Sequence, residues 1–289
     1  MPPPKPTLDD LRREIDEIDA ALHHLVMRRT EVVQRIAKTK VASSSAMRPG
    51  REAAILRGLA AQHAGAFPVK ALARIWREMI GALTRLQQPF VVAAFAPDGM
   101  RGYWDLARDH YGSTAPIQPV ATSLAAFRAV AEGTATVSVV PWPDEEDPDP
   151  WWRYLFSEDP KIPRVIARLP FVARAAGRGE EPDALALAAL PPEETGQDHT
   201  LLGVELCEDT SRGRLKDCLE AVGLVPTLFR THHLADGRGS VHLALIEEFV
   251  AKDDPRLAQF AERMGEALVR VLPLGSYATP IVVPEGQKT

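Results

Sequence analysis

The sequence predicts a multidomain chain: an all-α three-helix N-terminal segment, then a truncated α/β lobe, then a C-terminal ferredoxin-like βαββαβ domain. Three observations predict it. Residues 8–88 contain glycine only at 50, 58, 65 and 81 and proline only at 49 and 68, so little interrupts helix formation there. From residue 91 onward, short β-branched runs alternate with helical stretches. After residue 200 the order of those runs becomes β-α-β-β-α-β. The boundaries read as 1–90, 91–195 and 196–289, with 191–199 as a linker.

Composition narrows the class. The 289 residues are 45% hydrophobic and 25% charged, ordinary values for a folded soluble chain. A formal charge of -5 argues against a nucleic-acid partner, which selects for basic surfaces. No apolar run approaches the roughly 18 residues of a membrane span, and the N-terminus lacks the apolar core of a signal peptide. Cys207 and Cys218 are too few for a disulfide framework. These features argue against a membrane or nucleic-acid partner, and a cytoplasmic enzyme fits them, as do many other proteins.

The first helix starts near Leu8, with Thr7 or Asp9 available as its cap, and nothing breaks it before Ser43. Its inward stripe runs Leu11, Ile15, Ile18, Leu22, Leu25, Arg29, Val33, Ile36, Lys40, in alternating steps of three and four. Arg29 and Lys40 therefore sit where an aliphatic side chain belongs, and Arg12 borders the same stripe. Such a helix is roughly 50 Å long at about 1.5 Å per residue. That is too long for two short helices to cover, so a second copy of the same helix is expected, giving a homodimer. A buried unpaired cation is costly, so the enclosed stripe calls for an anionic ligand. A single cation at a stripe edge could equally snorkel into water.

The second helix follows Arg48-Pro49-Gly50-Arg51-Glu52, and the third starts at Pro68. The third carries the stripe Leu72, Ile75, Trp76, Met79, Ile80, Leu83, Gln87. Taken by position alone, Glu52 is a first-turn carboxylate favoured by the helix dipole, Arg51 a surface residue, and Gln87 a frayed helix end.

Taken together, Leu11-Arg12, Ile15-Asp16, Ile18-Asp19, Arg28-Arg29, Lys38-Thr39-Lys40, Arg48-Pro49-x-Arg51-Glu52, Ile75-Trp76-Arg77-Glu78-Met79-Ile80 and Gln87 resemble the all-helical chorismate mutase family across residues 8–88. The resemblance implies an isomerase that converts chorismate to prephenate for aromatic amino acid biosynthesis, with no cofactor and no metal. It further implies that Arg29 and a partner-subunit Arg12 grip the substrate carboxylates. Lys40 and Gln87 donate to the ether oxygen, Glu52 accepts from the ring hydroxyl, and Arg51 supports Glu52. The chain departs from the pattern at two further substrate-binding positions: Arg48 stands where an acidic residue is common, and Leu83 where a serine is common. The reaction breaks a C–O bond and forms a C–C bond within one molecule without proton transfer. Orientation by arginines and stabilisation of the developing oxyanion are therefore what the site must supply.

In the rest of the chain, strands are expected at 91–95, 136–140, 165–167, 184–189, 201–206, 225–231, 241–247 and 271–277. Helices are expected at 102–111, 124–132, 214–222 and 255–271. Ala94-Phe95-Ala96-Pro97-Asp98-Gly99 and the 123–141 stretch resemble prephenate dehydratase, and the ends of the βαββαβ unit resemble its ACT regulatory module. Two departures imply a degenerate dehydratase. Pro141-Trp142-Pro143-Asp144-Glu145-Glu146 replaces the family's Glu-Asn-Ser set, and residues 180–186 lack the Thr-Arg-Phe motif. A dehydratase-competent bifunctional enzyme and a non-catalytic partner of another aromatic-pathway enzyme are the alternatives. An amino-acid effector at the ACT-like domain is the remaining partner implied. His232, His233 and His242 are expected at the surface, because neighbouring strand positions face opposite sides. Trp151 and Trp152 are expected in a core.

Overall fold

The computed structural model describes residues 5–39, 45–98, 100–174, 182–207, 210–234 and 239–283. The N-terminal helices are α1 (Leu8–Thr39), α2 (Pro49–Gln62) and α3 (Val69–Arg85). Thr7 begins α1 with a reciprocal cap: Asp10 N–H donates to Thr7 Oγ1 at 3.2 Å, while Thr7 N–H donates to the Asp10 carboxylate at 3.0 Å. Pro49 and Pro68 lie at the starts of α2 and α3, where a missing N–H costs nothing.

The lobe follows with β1 (Val92–Phe95), α4 (Gly102–Tyr111), β2 (Ile117–Val120), α5 (Ser123–Ala131), β3 (Val137–Pro141), β4 (Arg164–Leu169), β5 (Val172–Arg174) and β6 (Ala184–Ala188). The last unit is β7 (Asp198–Leu206), α6 (Arg212–Glu220), β8 (Pro226–His233), β9 (Ser240–Ile246), α7 (Pro255–Met264) and β10 (Leu268–Ala278), with β11 (Ile281–Val283) closing the chain.

Nine strands form one sheet in the order β2-β1-β3-β6-β4-β10-β7-β9-β8. Its β10-β7-β9-β8 portion has the ferredoxin-like order expected of a βαββαβ unit. Sequence reading treats the lobe and this unit as separate; the sheet runs through both. Gly275 makes the junction possible. It has φ +144°, and a Cβ there would meet the backbone of Val165 on β4 at 2.2 Å. Only glycine allows β10 to come so close to β4.

Three further expectations change. The strand β2 lacks a sequence signal, since Pro119 interrupts it and its residues are half-exposed or exposed; it is an edge strand, where proline is tolerated. The helix expected over 255–271 ends at Met264, because Gly265 at φ +63° turns the chain into a 3-10 turn and then β10. His242 is buried rather than superficial: its ring bonds Thr231 Oγ1 at 3.1 Å and Ser240 Oγ at 2.8 Å. Trp151 and Trp152 are almost fully buried with Leu155 in the core between the lobe and the ferredoxin-like unit.

The helices do not form a self-contained bundle. The expected α3 stripe is rotated: Ala73, Arg77, Ile80, Leu83 and Thr84 are buried while Ile75 is exposed. Rotation follows from what α3 covers. It lies along α4, and Gly81 permits the approach, since a Cβ there would stand 2.1 Å from the Tyr111 carbonyl oxygen. Ala53 and Leu56 of α2 and Ala73 of α3 share one apolar cluster with Phe171, Val172 and Ala278. By contrast, no side chain of α1 is buried, and Leu11, Ile15, Ile18, Leu22, Leu25 and Ile36 are all exposed.

Candidate active site

Two groups of candidate side chains emerge. One follows the last turns of α1 and the first turn of α2. Arg29 is itself half-buried in α1, and one of its Nη atoms is shielded from solvent with no hydrogen-bond partner among the described residues. Its pKa is pulled down by burial first and by the positive charge of Arg51 second. The two arginines are thus close enough to repel. An anion placed there would relieve both penalties. Lys40 lies outside the described residues. Arg12 is exposed near the other end of α1 and pairs with Asp9 at 3.3 Å. Within one chain, therefore, Arg12 and Arg29 are not brought together. Along the 17 residues from Arg12 to Arg29 a helix rises roughly 25 Å.

Gln87 sits half-buried just beyond α3, and its Nε2 donates back to the Leu83 carbonyl at 3.0 Å. Leu83 itself is buried. Arg48 is drawn away from this group: its guanidinium pairs with Glu193, whose other carboxylate oxygen accepts the Gly50 N–H at 3.0 Å. Arg57 strengthens the same docking with bonds to Thr195 Oγ1 at 2.9 Å, the Gln197 carbonyl at 2.7 Å and the Thr279 carbonyl at 2.9 Å. The start of α2, which carries Arg51 and Glu52, is thereby held by the chain beyond residue 190.

The second group is centred on Glu52. Its carboxylate accepts from Arg77 Nη1 at 2.8 Å; the Arg77 side chain is buried and that of Glu52 is 14% exposed. Burial pushes the Glu52 pKa up, and Arg77 opposes the shift by favouring the charged form. Arg77 in turn lies over the Phe171 ring, 5.4 Å from its centroid. His110 and Tyr111 of α4 are buried alongside. Sequence reading assigns Arg51 as the support of Glu52; in the structure that partner is Arg77. The available signal is Arg77 itself, a cation within the Ile75–Ile80 stretch that the expected stripe does not include.

Residues 11–88 match the family model described as chorismate mutase type II. The chain carries a chorismate mutase type II domain at its N-terminus. A bifunctional chorismate mutase/prephenate dehydratase of Stutzerimonas stutzeri is 31% identical over 140 residues, which are 46% of this chain and 38% of that protein. The intracellular chorismate mutase of Mycolicibacterium smegmatis is 55% identical over 38 residues, 13% of this chain and 36% of that protein. This chain thus spans well under half the length of the curated relatives it matches. A prephenate dehydratase structure from Streptococcus mutans superposes with a TM-score of 0.46 at 14% identity, covering 68% of this chain and 100% of that one. Within the chorismate mutase domain, the matched segment contains Arg12, Arg29, Lys40, Arg51, Glu52 and Gln87. No helix among the described residues is long and apolar enough to cross a membrane.

Proposed function

We propose that this chain rearranges chorismate to prephenate in aromatic amino acid biosynthesis, at a site completed by a second copy of the same chain. The observation that carries the reading is α1: 32 residues whose apolar stripe is uncovered in the single chain, with Arg29 partly desolvated on that stripe. A contiguous apolar face of that length marks an interface. An antiparallel second α1 covers it and delivers the partner's Arg12 toward Arg29. Arg29, Arg51 and the partner's Arg12 then hold the two substrate carboxylates in the compact reactive geometry, an orientation effect. Lys40 and Gln87 donate to the ether oxygen as its charge develops, and each such donor is worth roughly 3–4 kcal/mol of barrier. Glu52, fixed by Arg77, accepts from the ring hydroxyl. No step moves a proton, so no general acid or base is required.

The lobe, 91–195, serves in this reading as a platform for α2 and α3 rather than as a dehydratase, and the βαββαβ unit is of ACT type. The domain limits 1–90, 91–195 and 196–289 belong to the same proposal. Arg48, engaged by Glu193, acts by fixing the start of α2 rather than by touching substrate. The test is to incubate the purified chain with chorismate and identify the product by NMR. Prephenate accumulating without phenylpyruvate supports the proposal. Phenylpyruvate would favour the bifunctional alternative, and unchanged chorismate would remove the reading.

A further inference from the structure

A cleft of about 220 Å³ opens between α3 and α4, where the helical segment meets the lobe. One wall is the α3 face Lys70, Ala73, Arg74 and Arg77, residues that stack at helical spacing. The facing wall is Asp105, Leu106, Asp109 and His110 of α4, and the floor is Leu56, Leu169 and Phe171. We propose that this cleft binds a small molecule with a carboxylate head and a compact apolar body, the head taken by Arg77 and His110. The cleft adjoins the proposed mutase site through Arg77, which also holds Glu52, but none of its donors lies on α1.

The argument rests on what is buried and what is left unbonded. Arg77 is 6% exposed and His110 9%. Arg77 makes one hydrogen bond, through Nη1 to Glu52, leaving Nε and Nη2 as donors. His110 makes none among the described residues; its one close polar-ring neighbour is Tyr111, edge-on at 4.7 Å. Both residues line the cleft, so their remaining donors face it and are open to exchange water for an accepting ligand. Burial, reinforced by Arg77, keeps the His110 ring neutral, so it offers one N–H and no competing charge. An acceptor head group matches the two free Arg77 donors and the His110 N–H.

Charge selects an anionic one. From α3 come Lys70, Arg74 and Arg77; from α4 come Asp105 and Asp109; from α2 comes Glu52, behind Arg77. Both aspartates are exposed at the rim, where water screens them, and Asp109 is already paired with Arg74. The formal charges balance, three against three, so the preference for an anion rests on the aspartates lying at the rim and Glu52 lying outside the lining while Arg77 faces the cleft. The apolar floor takes the body of the ligand. The cleft is smaller than the roughly 300–1,000 Å³ of drug-sized sites, so the body is about the size of a single ring.

Benzoate is a suitable probe, with benzyl alcohol as its uncharged counterpart, in calorimetric titrations of the full chain. Benzoate is expected to bind, and benzyl alcohol to bind roughly 10-fold more weakly or worse, the worth of a charged hydrogen bond. Ala73→Leu, which fills the cleft, and His110→Phe, which keeps the ring and removes its nitrogens, should each weaken benzoate by a similar factor. Arg29→Ala should leave it unchanged. Equal affinity for the alcohol, indifference to both cleft variants, or loss of binding in Arg29→Ala alone would each overturn the proposal. So would the absence of any heat at millimolar benzoate.

Discussion

Arg77→Met should be among the most damaging single changes outside α1. The variant keeps the volume of the side chain's stem and removes the guanidinium. It strands Glu52 as a buried carboxylate whose one ion-pair partner was at 2.8 Å. Breaking one side of a buried pair costs about 3–5 kcal/mol. The contact with Phe171 adds roughly 1 kcal/mol. Some of that cost is relieved as Glu52 takes up a proton, which its upward-shifted pKa already favours. The expected loss is therefore about 3–5 kcal/mol, read from urea unfolding. The double variant Glu52→Gln, Arg77→Met leaves no buried charge and should recover at least half of it. The result that refutes this account is a loss under about 1 kcal/mol for Arg77→Met, or a double variant as unstable as the single one. Either would mean that Glu52 finds water or another donor, and that the pair does not join α2 to α3.

The remaining predictions are shorter. Leu22→Asp with Leu25→Asp, both on the uncovered stripe, should convert a dimer to a monomer in light scattering and abolish mutase activity. A wild-type chain that is already monomeric would contradict the interface. Gln87→Glu should be active only in acid, because a carboxyl must be protonated to donate, while the wild type keeps a nearly flat kcat/KM between roughly pH 5 and 8. His110 is neutral in the fold with its pKa held well below 6.5, so the unfolded chain binds the extra proton as pH falls. Its contribution is present above the unfolded pKa and is lost on acidification, with a slope of at most about 1.4 kcal/mol per pH unit. His110→Phe should flatten the loss of stability between about pH 6.5 and 5 relative to wild type. An unchanged slope would show that the ring is already protonated or solvated. The partner group Glu52 titrates with the opposite sign, which is why the comparison is made between variants.

The helical segment was legible because its signal is local. A long apolar period interrupted by Arg29 and Lys40 needs no knowledge of the rest of the chain. Four strands of the lobe, β1, β3, β4 and β6, and the βαββαβ order are readable for the same reason, while β2 and β5 are not. What escaped were decisions made by distant contacts. Arg77 is not on the stripe that the sequence predicts for α3; that helix turns its Ala73, Arg77 and Thr84 face inward where Gly81 lets it approach Tyr111 of α4. The join between β4 and β10 depends on the absence of one Cβ at Gly275, which resembles any other glycine in sequence. Likewise Arg48 and Arg57 have no partners nearby in the chain; theirs lie roughly 140 residues on or more, in the 193–197 stretch and at Thr279. Long-range pairing of this kind leaves no periodic trace.

The most direct measurement mixes two inactive variants. If each site takes Arg29 from one copy and Arg12 from the other, Arg12→Ala and Arg29→Ala should each be nearly inactive alone. Subunits exchanged at equal ratio place one intact site in half of the dimers, so about a quarter of wild-type chorismate turnover should return, by the two-fold symmetry of such an interface. Recovery to that level is the outcome the account requires. Mixtures that remain as inactive as the separate variants, after exchange has been verified, would contradict it.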